Sequence, residues 1–179
     1  GAHCAAPDAR VLAWTWGWHH DWSGEVVDRL NPGVEVMCTS EEALPTNVGG
    51  IANQVVDYTI SQVGPSPYCR ALWERARRRG LKTVAKMQIN TTWECGGMPY
   101  FPVPYLVKEH LDGVRDAGVD GLMLSWTLGG CPSPNLELCS SSPEAIAAKR
   151  YGAAAPEVME AWKAFSEAFR EFPFSVDVV

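Results

Sequence analysis

Two stretches hold most of the side chains able to do chemistry. In the first, Lys86, Gln88 and Asn90 alternate with Met87 and Ile89 and run into Thr91, Thr92, Trp93 and Glu94. In the second, Gly121, Leu122, Met123 and Leu124 run into Ser125, Trp126, Thr127 and the pair Gly129–Gly130. Each reads as a buried strand ending in polar and aromatic residues, and each follows a helical pattern closed by a glycine, Gly80 or Gly118. In parallel α/β folds ligands sit where strands end and loops begin. A tryptophan beside a carboxylate or amide at such a place suits a carbohydrate. The indole covers the apolar face of the ring, and the polar groups bind its hydroxyls.

Glycoside hydrolysis uses two carboxyl groups. The carboxylates at strand ends are Glu41, Glu42 and Glu94. Glu94 adjoins Trp93, whose indole would desolvate it and raise its pKa, as an acid catalyst requires. The competing reading is a loop carboxylate that accepts backbone N–H groups. Glu41 is the second catalytic candidate. Trp14, Trp16 and Trp18 alternate, which places them on one face of a strand and its extension. Trp14 is expected in the core, while Trp16 and Trp18 could line a subsite.

Lys86 within a strand needs a partner, and Asp57, Glu35 or Glu94 could supply it. It is either half of a structural ion pair or a cation that orients substrate. Gln88, Asn90, Ser125, Trp126 and Asn135 complete the candidate sugar-binding set. Gly129–Gly130 would let backbone approach a ligand closely. His19 and His20 point opposite ways on an extended chain, so they form a poor metal pair, though one of them with Asp21 or Glu41 could bind a metal or a substrate, and His110 falls on the apolar side of a helix.

The six cysteines include no C-x-x-C pair and no zinc spacing. No metal and no cofactor is expected. Cys38 reads as a buried free thiol, whereas Cys95, Cys131 and Cys139 follow strand ends and could form a disulfide. There is no G-x-G-x-x-G, P-loop or serine nucleophile elbow.

Behind these groups must stand elements that position them. The 179 residues are enough for one domain with a real core, and 46% hydrophobic and 20% charged residues are ordinary for a globular chain. A net charge of −6 argues against a nucleic-acid or anionic-membrane partner. No apolar run reaches the roughly 20 residues of a membrane span. The first residues lack the basic flank and apolar stretch of a signal peptide, and a secreted or periplasmic location is favoured over a cytoplasmic one. The basic run Arg75 and Arg77–Arg79 falls at a helix end, where it complements the dipole.

Strands are predicted at 11–16, 34–39, 55–61, 81–90 and 119–126. Helices are predicted at 21–30, 65–80, 103–117, from Ser142, and from Pro156 to about Glu171. The polar stretch 40–54, with Pro45 and Gly49–Gly50, reads as a long excursion or hairpin. Repeated βα units favour a parallel sheet. Strand 81–90 is apolar on one face and polar on the other, as is 55–61. A strand buried on both faces of an open sheet should be apolar on both, whereas a barrel strand reaching a site need not be.

The fold class expected is therefore α/β: a single domain over 1–179, built as a parallel (β/α) half-barrel of about four βα units, with a hairpin-like insertion and extra C-terminal helices. A closed barrel needs about 250 residues. Open sheet edges must be covered, so a homo-oligomer through those edges is expected.

The stretch 82–137 resembles the C-terminal half of bacterial hexosaminidase-type (β/α)8 glycoside-hydrolase-like proteins. The resemblance rests on Lys86-x-Gln88-x-Asn90-x-x-Trp93-Glu94, on Pro99-Tyr100-x-Pro102, and on Ser125-Trp126-Thr127-x-Gly129-Gly130-x-Pro132-Ser133-Pro134-Asn135. Ala161-Trp162-x-x-Phe165-Ser166-x-Ala168-Phe169 is similar to their closing helix. It implies a sugar bound at the C-terminal ends of the strands and a glycosidase-like activity. In that family the general acid comes from the middle strands, which lie in the other half. The alternatives are a non-catalytic carbohydrate-binding or assembly module, or an inactive fragment of a larger barrel enzyme.

Overall fold

The computed structural model describes residues 2–91, 97–125 and 132–173. A short helix, α1 (Ala2–Ala5), precedes strand β1 (Val11–Trp14). Helix α2 (His20–Arg29) follows, its first turn capped by the His19 side chain, which accepts from the Asp21 N–H. Strand β2 (Val34–Thr39) leads to the antiparallel pair β3 (Pro45–Val48) and β4 (Ile51–Gln54). Gly49 and Gly50 make its two-residue turn with φ of 60° and 81°, as a tight hairpin connection requires.

Helix α3 (Pro67–Arg78) starts at Ser66, whose hydroxyl accepts from the Cys69 N–H, with Pro67 in the first turn. Then come β5 (Thr83–Met87), α4 (Pro104–Asp116) and β6 (Gly121–Leu124). The chain continues through α5 (Pro134–Glu137), α6 (Pro143–Tyr151), a 3-10 turn at Gly152–Ala154 and α7 (Ala155–Arg170).

The main sheet has the order β1-β2-β5-β6, and every pairing in it is parallel. The protein is thus α/β, with a four-stranded parallel sheet and the hairpin standing apart from it. Register decides which residues share a face. Val36 and Cys38 pair with Thr83 and Ala85, and Ala85 and Met87 with Leu122 and Leu124. This face carries the helices. Val36, Cys38, Ala85 and Met87 share one core cluster with Leu72 and Trp73 of α3 and Leu106, Val107 and Leu111 of α4. The Trp73 indole is fully buried and donates to the Val84 carbonyl at 3.2 Å, so its polar edge is satisfied.

Trp14, Met37, Val84 and Gly121 align on the opposite face, followed by Thr39, Lys86 and Met123. Met37 and Val84 are buried there outside the helix-side cluster. Met123 and Leu12, on the two edge strands, are exposed.

The basic run at the end of α3 fastens neighbouring helices. Arg75 pairs with Asp28 of α2, Arg79 donates to the Val27 and Leu30 carbonyls, and Arg77 donates to Ala117 O. These carbonyls end α2 and α4, where cations are favoured.

One predicted strand is absent. Residues 55–61 belong to no strand, although Asp57, Thr59 and Ser61 alternate with apolar neighbours. Their polar groups are committed elsewhere: Thr59 N–H donates to Glu41 at 2.8 Å, and Ser61 N–H donates to the Thr59 hydroxyl at 3.1 Å. Such local side-chain bonds compete with a ladder. Among the described residues no helix is long and apolar enough to cross a membrane.

Candidate functional site

The C-terminal ends of β1 and β2 open on one cleft. After Trp14 the chain turns instead of extending: Trp18 N–H donates to Thr15 O at 2.9 Å, and Gly17 takes φ 77°. The predicted extension of the strand to Trp18 is therefore replaced by a turn that glycine permits. Trp14 and Trp16 stack with centroids 5.4 Å apart, and Trp18 leans on Trp22 at 6.3 Å. Trp16 is half exposed, and its indole N–H donates to Asp57 Oδ1 at 2.9 Å.

The opposite wall follows β2. Glu42 N–H donates to the Thr39 carbonyl, and Ala43, with φ 60°, donates to the Val55 carbonyl at 2.8 Å. Val55 N–H returns a bond to Leu44 O. This clamp carries the chain past the hairpin and sets Asp57 on the same cleft as Glu42. The cleft has a volume of about 710 Å³ and is lined by Trp16, Trp18, His20, Asp21, Glu42 and Asp57, among others.

Two of its carboxyl groups, Glu42 and Asp57, are protonated more readily than usual. Burial, with a contribution from the Asp57 charge, lifts Glu42 to about 7. Burial also raises Asp57, against the opposing donation from Trp16 and the Lys86 charge. Glu42 is 5% exposed. One of its oxygens meets His20 Nε2 at 3.2 Å, and the other, Oε2, has no hydrogen-bond partner among the described residues. The His20 ring lies on Tyr68 at 4.3 Å.

Behind this wall lies a buried polar layer. Glu41 is fully buried. It accepts from the Ser40 hydroxyl at 2.7 Å and from the Thr59 N–H at 2.8 Å. Burial pushes its carboxyl up to about 8. The Ser40 oxygen also meets His110 Nε2 at 2.8 Å, and burial takes His110 down to about 4, so the imidazole is neutral at pH 7. That is the core histidine expected from the helical pattern.

Lys86 is fully buried, donates to Ser125 O at 2.6 Å and lies 4.6 Å from the centre of the Tyr58 ring. Burial lowers its pKa, opposed by the charges of Glu41 and Asp57. Of the three partners expected for it, Asp57 is thus near, whereas Glu35 is paired with Arg10 through two bonds of 2.7 and 2.5 Å.

The remaining predicted ligands form a third group. Ser125, with φ 61°, offers its hydroxyl to the Asn90 N–H at 3.4 Å. Ser133 donates to Asn90 Oδ1 at 2.5 Å. Asn135 is fully buried and donates to the Ile89 and Phe101 carbonyls, both at 2.8 Å. Gln88 is buried on the same strand end, and its amide nitrogen has no partner among the described residues.

The predicted residues therefore separate. Trp16 and Trp18 reach the cleft, Glu41 and Lys86 stand behind it, Asn90, Ser125 and Asn135 are engaged inside the fold, and Gln88 is buried there without a partner for its amide nitrogen among the described residues. Trp93, Glu94 and Trp126 lie outside the described residues, as do Cys95 and Cys131. Cys4, Cys38, Cys69 and Cys139 are free thiols. Among the described residues no three His, Cys, Asp or Glu side chains are grouped to hold a metal ion. Sequence reasoning did not place Asp57 in the site, although Asp57 carried a signal in the polar alternation of 55–61; His20 it offered only as a ligand together with Asp21 or Glu41, whereas the structure sets it against Glu42.

No protein-family model matches the chain, and neither a curated protein nor a solved structure is significantly similar to it.

Proposed function

We propose that the chain is a carbohydrate-active, glycosidase-like domain whose sugar binds in the cleft at the ends of β1 and β2. One observation carries this reading. A nine-tenths-buried carboxyl group, Glu42, with a pKa near 7 and an unpaired oxygen, shares a cleft with the exposed ring of Trp16 and with Asp57. The tryptophan supplies a stacking platform for a pyranose. A carboxyl still protonated near neutral pH can give its proton to a leaving glycosidic oxygen. Asp57, held by the Trp16 N–H, is the second carboxyl of the pair.

The same reading makes the sheet one half of a (β/α) barrel. Its inner face would be the one bearing Met37, Val84 and Lys86, and the cleft would lie at the rim where such barrels keep their sites. A second copy would supply the other four strands, with β6 of each beside β1 of the other.

The test is turnover of a panel of aryl glycosides by the wild-type chain and by Glu42→Gln. Hydrolysis that the substitution abolishes is the expected result. Equal rates for the two proteins remove Glu42 from the chemistry. Absence of both turnover and sugar binding rejects the whole reading.

A further inference from the structure

The cleft's lining carries a marked imbalance of charge. Glu42, Asp57 and Asp21 face it, and among the described residues no lysine or arginine does; the basic groups there are His19 and His20. His20 is committed to Glu42 and His19 to Asp21. Lys86, whose charge acts on Asp57, is spent on Ser125 O and the Tyr58 ring. A neutral sugar would leave the Asp57 carboxylate without a cation from the ligand, and an anionic one would be repelled.

Resting on the glycosidase-like reading above, we propose that this cleft selects sugars bearing a protonated amine, such as 2-amino-2-deoxy units, over neutral, acetylated or acidic ones. The ammonium would pair with Asp57 while the Trp16 face adds a cation–π contact, and Glu42 keeps its proton for the leaving oxygen. The indole and the carboxylates stand together already, because the Trp16 N–H is bonded to Asp57.

The experiment titrates tryptophan fluorescence with four oligosaccharides of equal length: fully deacetylated chitin, acetylated chitin, cello-oligosaccharide and oligogalacturonate. At pH 6 and low salt, where its amines are protonated, the deacetylated oligomer should bind about tenfold tighter than the neutral ones. The ratio should shrink with added salt, on raising the pH until the amines are neutral, and in Asp57→Asn. Equal binding of cationic and neutral oligomers, or preference for the acidic one, overturns this inference and leaves a sugar site standing. Binding of none of the four overturns the sugar reading itself.

Discussion

Asp57 lifts the proton affinity of Glu42 across a cleft that neither residue reaches from a strand. Glu42 follows β2 by three residues, and Asp57 arrives after the hairpin, drawn in by the Ala43–Val55 and Val55–Leu44 bonds. Two carboxyl groups distant in sequence thus share one titration environment, the condition in which one stays protonated while the other ionises.

A general acid works only while protonated. With Glu42 near 7, kcat/KM for aryl glycosides should fall as pH rises through about 7. Glu42→Gln should lose about 10²- to 10⁴-fold in rate and lose that alkaline limb, as read from pH–rate profiles of both proteins. A limb that persists in the variant assigns it to another group.

Trp16 presents about half its surface to the cleft. Trp16→Ala should weaken oligosaccharide binding about tenfold or more, through loss of the stacking face. It also removes the N–H donated to Asp57, so the Asp57 carboxyl should titrate at higher pH than in the wild type. Calorimetry and side-chain carboxyl NMR read the two effects separately.

Stability should depend on pH through the buried layer behind the cleft. Glu41 titrates near 4.5 unfolded and about 8 folded, so between those values the folded state holds the extra proton and stability falls as pH rises. Glu42 adds to the fall up to about 7. His110 acts oppositely: its value drops from 6.5 to about 4, so stability rises with pH across that window. His110 cancels only one of the two carboxyl terms below pH 6.5, so stability already falls there by about 1.4 kcal/mol per pH unit; the fall is about twice as steep from 6.5 to 7, and Glu41 alone carries it on to about 8. Urea melts of Glu41→Gln should show a shallower decline there. An unchanged slope would place Glu41 elsewhere than in this layer.

Asn135 holds the Ile89 and Phe101 carbonyls with one amide group. Asn135→Asp removes both donors at constant shape and should cost about 2–4 kcal/mol, seen as a lower urea midpoint at unchanged m. A loss of sugar binding without loss of stability would instead return Asn135 to the ligand set.

Pairing of two half-barrels predicts a particle of twice the 19.6 kDa chain mass by light scattering or sedimentation. Met123→Lys, on the exposed face of β6 away from the helices, should shift it to monomer without unfolding it. A wild-type monomer at high concentration would dismiss the pairing.

Much of the framework was legible. The strand 34–39 matches β2 residue for residue, and Ser66–Pro67 and Ser142–Pro143 mark the starts of α3 and α6, because a capping hydroxyl and a first-turn proline act locally. The hairpin announced itself through Gly49–Gly50. Segment 55–61 misled because its alternation satisfies the strand period while its hydroxyls bond locally. Gly17 was the visible sign that Trp18 would leave the line of Trp14 and Trp16. Glu41 and Glu42 were not separable in sequence: adjacent residues of one type differ only in which way the β2 loop turns them, and long-range bonds to Thr59 and Val55 decide that.

The β3–β4 hairpin stands off the main sheet, with β4 exposed along its whole length, and of its strand residues only Gln54 lines the cleft. The arm is thus free to drift. Lengthening, shortening or exchanging it alters what the neighbouring hollow admits while leaving Trp73, Ala85 and Leu106 untouched, so new preferences can evolve on an unchanged folding nucleus.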